Sequence, residues 1–333
     1  MGVSVLRESE FRKYLKKRRL SSKEIDFSVK TIGKFERFLK DRRLSIDAAK
    51  LEDLKDYISL LKAKGSNSLN TLVALARYFG FVKRNDFFIY IAPPLNAREV
   101  LPGVGQRLAA IAGENTRRKV FEGFELPPLG ASQEDYPRLT KVVVDRMEAE
   151  LPEEKCREVL TWNYHEVPRA AFEEQKKLFE KTSSIDEYLK SEHKRLVKEM
   201  RECMKEGRLW YEQEITPEVL RFVKDNQEIC TGIRHGDKIY MTKMPFAPQQ
   251  YLKEKDITLK RYYACHCPLV RTSIRDGKPK ISPVFCYCSG GFEKLAFDVI
   301  FGESVNVELL ESALKGDVRC RFVVRIPARF RCR

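Results

Sequence analysis

The sequence predicts an α+β protein: a bundle of four short helices, followed by a larger α/β domain whose helices pack on an antiparallel sheet. In the first 90 residues, apolar side chains recur every three or four positions, as on one face of a helix. Near the C-terminus, apolar and polar residues alternate instead, as in strands. At 333 residues and 43% hydrophobic content, the chain is long enough for several folded domains.

Four helices are predicted in the N-terminal part. The first covers SEFRKYLKKRRLS, and the second starts at Ser21 or Ser22, which suit an N-cap. The third runs from Asp47 to Gly65, where glycine suits the position just after a helix. The fourth covers SNSLNTLVALARYFGFV. This gives a helical domain over residues 1–92.

The positive charge is concentrated in the same part of the chain. Residues 1–90 hold 21 Lys and Arg against 11 Asp and Glu, whereas the other 243 residues hold 42 against 37. The net charge of +15 therefore lies mostly in about a quarter of the sequence. Such asymmetry is typical of a nucleic-acid-binding module, although a basic solvated surface or an acidic protein partner would produce it too.

The order of YLKKRRLS, FERFLK, LEDLKDYISLLK and SNSLNTLVALARYFGFV resembles the SAM-like core-binding domain of tyrosine recombinases (phage integrases). In that family helices two and four face duplex DNA. The resemblance implies DNA contacts from the matching positions, namely Lys30, Lys34, Lys64, Ser66, Asn67, Arg77, Lys83 and Arg84. No Arg…His-x-x-Arg…Tyr series follows, so strand exchange is not expected. The alternative is an adaptor bundle whose cations only maintain solubility.

The middle of the chain is expected to be a linker and then mostly helices. Pro- and Gly-rich stretches at residues 93–135 indicate a linker with one short helix. The domain from 136 to 333 begins with helices over 137–207, followed by a hairpin at IRHGDKIYMTKMP. Glu212 and Glu214 form an i, i+2 carboxylate pair that suits a ligand pocket or, alternatively, a solvated strand edge.

Nothing at the N-terminus resembles a signal peptide, and no apolar stretch is long enough for a membrane span. We therefore expect a soluble cytoplasmic protein with no membrane partner. The nine cysteines are then expected to be reduced, and clustered ones point to metal or thiol chemistry. The sequence leaves open whether the chain forms a homodimer.

Two Cys-x-Cys steps lie close together in the sequence, at Cys265/Cys267 and Cys286/Cys288. RYYACHC alternates bulky residues and predicts a strand with His266 on the opposite face. In one interpretation a hairpin turning at Asp276-Gly277 brings the four sulfurs to one face. In the other, helices start at Pro268 and near Pro283, which we favour because prolines disrupt strand ladders. The helix dipole would then favour the thiolates of Cys286 and Cys288.

The segment CSGGFEKLAFDVIFGESVNVELLESALKGDVRCRFVVRIP predicts a helix before a β-hairpin and resembles the C-terminal half of two related families. These are the 4-vinyl reductase domain and the L-2-amino-thiazoline-4-carboxylic acid hydrolase families. Members of the first serve as small-molecule sensing domains, some with a cysteine-rich zinc site. Cys320 and either Cys286 or Cys288 match that pattern, but Ser312 stands where a third cysteine is usual.

The cysteine region therefore has three interpretations. It is a metal site drawn from Cys265, Cys267, Cys286, Cys288 and Cys320, a reactive thiol in a ligand pocket, or buried core. Zinc is the expected metal, and four thiolates also suit an iron–sulfur cluster. For the whole chain we expect a DNA-associated small-molecule sensor. The alternative is a hydrolase-like enzyme acting on a small heterocyclic or thio-substrate, with Cys265, Cys267 or His266 near the reacting atoms.

Overall fold

A computed structural model describes residues 7–332, so the first six residues of the predicted helical domain lie outside it. The described chain is mainly helical with one small antiparallel sheet, which confirms the α+β class. It divides into two compact units. The first comprises the described residues up to Asn96 together with Leu126–Ser132, and the second comprises Ala97–Glu125 and the residues from Gln133 onward. None of the described helices is both long and apolar enough to span a bilayer.

The first unit is a bundle of helices whose ends follow local capping rules. Ser21 and Glu24 form a capping box at the start of the second helix, and Ser68 caps the fourth. Gly65 takes a left-handed φ of +59° just after the third helix, as predicted, although that helix starts at Leu51 and not at Asp47. The helices are α1 (Glu8–Lys17), α2 (Ser22–Asp41), α3 (Leu51–Ala63), α4 (Leu69–Val82) and α5 (Asn85–Asn96).

The core of the first unit is aromatic and is closed by a returning segment of the chain. Phe35, Phe79 and Phe87 are fully buried and meet edge to face. Leu126–Ser132, which we call the strap, packs against the same bundle. Asn67 donates from Nδ2 to the Leu129 carbonyl at 2.7 Å and ties the strap to the start of α4.

The prediction of a linker over 93–135 is wrong. Pro93 and Pro94 lie inside α5, where Pro93 is buried with Ile91 and Ala92, so packing offsets the backbone donors that proline lacks. The rest forms two helices of the second unit, α6 (Val100–Ala112) and α7 (Glu114–Val120), and then the strap. The prediction based on proline and glycine content therefore placed the boundary between the two units wrongly.

The second unit contains a four-stranded antiparallel sheet in the order β1-β2-β4-β3. Its strands are β1 (Ile233–His235), β2 (Lys238–Thr242), β3 (Val307–Glu311) and β4 (Arg321–Arg325). Both predicted hairpin pairings, β1 with β2 and β3 with β4, are present. The central pair β2 and β4 places Thr242 opposite Arg321, so the residues just beyond, Lys243 and Cys320, are neighbours.

Helices surround this sheet. They are α8 (Tyr136–Glu150), α9 (Glu153–Leu160), α10 (Glu173–Lys181), α11 (Ile185–Glu206), α12 (Pro217–Lys224), α13 (Pro248–Lys253), α14 (Ile257–Ala264), α15 (Arg271–Asp276) and α16 (Tyr287–Ile300), with single 3₁₀ turns at Gln133–Asp135, Arg169–Phe172, Pro283–Cys286 and Ala328–Phe330. Cys156 and Cys203 are buried, as expected of small apolar residues. In α16, Gly290 faces Phe322 of the sheet, while Gly291 lies against the backbone of Trp162.

Candidate functional site

The first Cys-x-Cys step lies at the end of a helix, and the prediction of a strand at RYYACHC is wrong. Asp256 accepts from the Leu259 amide at 2.8 Å and starts α14, which ends at Ala264. Cys265–Cys267 then has no regular secondary structure and leads through a turn to α15. The hairpin interpretation is therefore also wrong. The helical one is correct in outline, since a 3₁₀ turn begins at Pro283 and leads into α16.

The fold gathers all five predicted cysteines into one cluster, which we call the thiol cluster. Cys320 is close enough to Cys265 and Cys286 to raise the pKa of both, after burial, which is the larger cause. Cys288 acts in the same way on Cys267. Ser312, which replaces the cysteine of the resembled family, is fully buried and donates a hydrogen bond to Cys286.

A partly buried ion pair lies at the edge of the thiol cluster. The Lys243 Nζ donates to Glu293 Oε1 at 3.0 Å and to Ser289 Oγ at 2.9 Å, and both charged side chains are only 16% exposed. The Lys243 amide donates to the Cys320 carbonyl at 2.8 Å, which fixes the lysine at the end of β2. Burial alone would lower the pKa of Lys243, but Glu293 and the nearby sulfurs outweigh it and raise the pKa.

Burial opposes ionisation of the thiols of the cluster. It raises the pKa of Cys267 and Cys288 to about 12 and raises those of Cys265, Cys286 and Cys320 as well. Burial therefore opposes the thiolates expected at the start of α16, because desolvation is the largest cause of the raised pKa of Cys286 and Cys288. Neutral thiols are weak nucleophiles. This arrangement favours binding over thiol catalysis.

Two further polar groups border the thiol cluster. His266 Nε2 donates to the Met244 carbonyl at 2.5 Å, and burial holds the His266 pKa well below its usual value, so the ring is neutral. Arg271 is 6% exposed, stacks 3.9 Å over Phe246 and donates to Gln133 Oε1 at 2.5 Å. Its Nε is buried and has no hydrogen-bond partner among residues 7–332. A buried guanidinium N–H without an acceptor is uncommon in folded proteins.

The two predicted pocket carboxylates lie in different environments. Glu212 is half-buried and attracts Arg271, which raises the pKa of that guanidinium against the larger lowering effect of burial. Glu214 is exposed, and its Oε2 accepts from Gln249 Nε2 at 3.2 Å. Glu212 therefore lies near Arg271, whereas Glu214 is bound by Gln249 at the surface.

Five cysteines supply the donors that zinc prefers. In the described part of the chain, no group of three or more His, Cys, Asp or Glu side chains is placed to hold a metal ion. We therefore derive no chemistry through a metal, and the zinc and iron–sulfur sites stay predictions.

The eight predicted DNA-contact residues divide into two sets. Asn67 holds the strap, the Ser66 hydroxyl donates to the Leu61 carbonyl, and Arg84 binds the carbonyls of Ile46 and Ala49 as well as Asp86. These three have structural partners. The others are cations at or near the surface of the unit, on α2, at the end of α3, at the end of α4 and on α4 itself: Lys30, Lys34, Lys64, Lys83 and Arg77. Arg77 lies near the Glu24 carboxylate, which partly offsets its charge, and near Tyr14.

Comparison with known proteins gives one partial match. Residues 248–329 match the model of a family of unknown function, DUF6144. No curated protein and no solved structure matches the chain. The matched range covers α13 to β4 and contains the whole thiol cluster with Glu293, Ser289 and Ser312. The similarities to integrase and 4-vinyl reductase domains stay predictions.

Several residues of the site were not predicted from the sequence. Cys230 accepts a hydrogen bond from the Met244 amide. Burial raises the pKa of Cys230 to about 12, Glu293 adds to that rise, and Lys243 opposes it. Lys243, Glu293 and Arg271 were also missed. For Lys243 a signal existed, because it stands among Met241, Met244 and Phe246 in YMTKMPF, where a lysine interrupts an otherwise apolar run.

Proposed function

We propose that the protein is a DNA-associated small-molecule sensor. The first unit would contact DNA, and the second would bind a small anionic ligand beside the thiol cluster. The observation that carries the ligand half is the buried Arg271 Nε without an acceptor. A carboxylate or phosphate oxygen would complete its hydrogen bonds and offset the cost of burying it.

The DNA half is supported by charge that the fold leaves available. Lys30 and Lys34 are exposed on α2, and neither forms an ion pair with a residue in the described range 7–332. Cations without protein partners are suited to phosphates, because each contact releases a counterion. Residues whose side chains hold the bundle together, such as Arg84, are not needed as phosphate contacts.

Charge reversal on α2 tests the DNA half. In the full chain, Lys30→Glu with Lys34→Glu is expected to weaken DNA binding by about 10- to 100-fold near 0.1 M salt and to lower the salt slope by about two. Fluorescence anisotropy with a labelled DNA fragment would measure both values.

The matched control is Lys194→Glu with Lys198→Glu. These lysines are also exposed and four residues apart on a helix, here α11, so net charge changes equally. Equal losses in the two double variants would show that only overall charge matters. Absence of DNA binding by the unmodified chain even at low salt would remove the proposal.

Zinc is the second candidate occupant of the second unit, favoured by the five sulfurs that the fold brings together. If zinc is bound there, protein purified without oxygen should contain about one zinc per chain by elemental analysis. Less than a stoichiometric amount of zinc or iron would eliminate the metal proposal.

Native mass spectrometry of the same sample would then show whether an organic anion is retained instead, and Arg271→Met should abolish its retention.

A further inference from the structure

The outward face of α2 combines one exposed aromatic ring with a row of cations. Phe27 is 42% exposed, which is unusual for a phenylalanine in a unit whose other aromatic rings form its core. The residues that share its face recur at spacings of three or four positions, so they form one stripe along the helix: Lys23, Phe27, Lys30, Lys34 and Arg37. We call this set the α2 stripe.

The charge of the α2 stripe is not neutralised by its neighbours. Three carboxylates of α2 lie beside the stripe, and each has a partner outside it. Glu24 accepts from the Ser21 amide at 2.8 Å, Arg12 of α1 binds Asp26 at 2.6 Å, and Glu36 accepts from Tyr78 Oη at 2.9 Å. Lys23, like Lys30 and Lys34, has no ion-pair partner among the described residues. The stripe therefore presents positive charge on both sides of Phe27 and is complementary to a polyanion.

The exposed ring of Phe27 indicates which form of the polyanion, duplex or single-stranded, the stripe suits. In a duplex, the faces of the bases are covered by their neighbours, so an exposed side chain on a rigid helix reaches only phosphates and groove edges. In a single strand, base faces are open and stack on aromatic rings, while cations follow the backbone. A leucine or lysine would serve the duplex as well as Phe27 does.

We propose that the α2 stripe binds single-stranded DNA, with an unpaired base stacked on Phe27 and backbone phosphates on Lys23, Lys30 and Lys34. This rests on the proposed function, in which the first unit contacts DNA. It adds the strand state of the ligand, which the resemblance to a duplex-binding domain does not imply.

The test uses the full chain with two labelled probes of about 20 units, an oligothymidylate and a duplex. Phe27→Leu keeps an apolar side chain but removes the ring face. It should weaken oligothymidylate binding by about 5- to 150-fold and leave duplex binding unchanged, whereas Phe27→Trp should retain or improve it. Leu69→Ala is the control, because Leu69 is the other large apolar side chain exposed in the described first unit, at 40%.

The outcomes separate this inference from the proposed function. If neither probe binds the unmodified chain, the DNA function itself fails. If the duplex binds as tightly as the single strand, or if Phe27→Leu has no effect while charge reversal at Lys30 and Lys34 does, then the first unit binds DNA but the stacking inference is wrong. Equal losses with Phe27→Leu and Leu69→Ala would also overturn it.

Discussion

Replacing Lys243 with methionine is expected to lower the free energy of unfolding of the second unit by about 3–5 kcal/mol. Methionine fills a similar volume, so the loss is electrostatic. The change leaves the largely buried Glu293 carboxylate without its cation and takes the donor from Ser289. Urea denaturation followed by tryptophan fluorescence would measure it, since both tryptophans of the chain, Trp162 and Trp210, belong to this unit.

Two further variants separate the ion pair from general damage. Lys141→Met removes an exposed partner of Asp145 in the same unit and should cost less than about 1 kcal/mol. The double change Lys243→Met with Glu293→Met removes both charges and should recover much of the stability that the single change loses. If the double variant is as unstable as the sum of the single ones, the pair has no coupling and our account of this site is wrong.

Gly291→Ala is expected to destabilise the second unit by about 3 kcal/mol or more. A Cβ at Gly291 would lie 2.3 Å from the amide nitrogen of Trp162 and 2.5 Å from its carbonyl oxygen. Because both are backbone atoms, no side-chain rotation can relieve the clash. Thermal unfolding followed by tryptophan fluorescence would measure the loss.

The neighbouring glycine provides the control. A Cβ at Gly290 would meet Phe322 and Val307 at 3.5 Å, an ordinary van der Waals distance. Alanine also favours helix by up to about 1 kcal/mol over glycine, so Gly290→Ala should be close to neutral. Similar losses for the two variants would mean that helix α16 does not approach Trp162 as described.

The first unit was largely predictable from sequence because its signals are local. Apolar residues at helical spacing bury Ile25, Ile32 and Phe35 on one face of α2, and Ser21 caps it. The errors occurred where packing overrides local preference. Pro93 and Pro94 were taken as linker residues, although buried contacts keep α5 helical around them.

The candidate site was predictable only in part. Pairing of the two Cys-x-Cys steps across a pair of helices followed from the prolines, and the fold does bring these thiols together. The strand at RYYACHC was an error, because alternation of bulky residues outweighed the capping signal of Asp256. Lys243, Glu293 and Arg271 could not be identified as a set, since only the pairing of strands and helices distant in sequence brings them to the thiol cluster.

The strap has a consequence for how this protein can be divided. The chain leaves the first unit at Asn96, builds two helices of the second, returns as Leu126–Ser132 and then leaves again. No single cut in the gene therefore separates two complete halves. A fragment ending near residue 96 would lose the Leu129 carbonyl that binds Asn67, along with Gly130, which packs against Ile58 and Leu72. The two units are interleaved in sequence, so a complete first unit requires a chain that also contains part of the second.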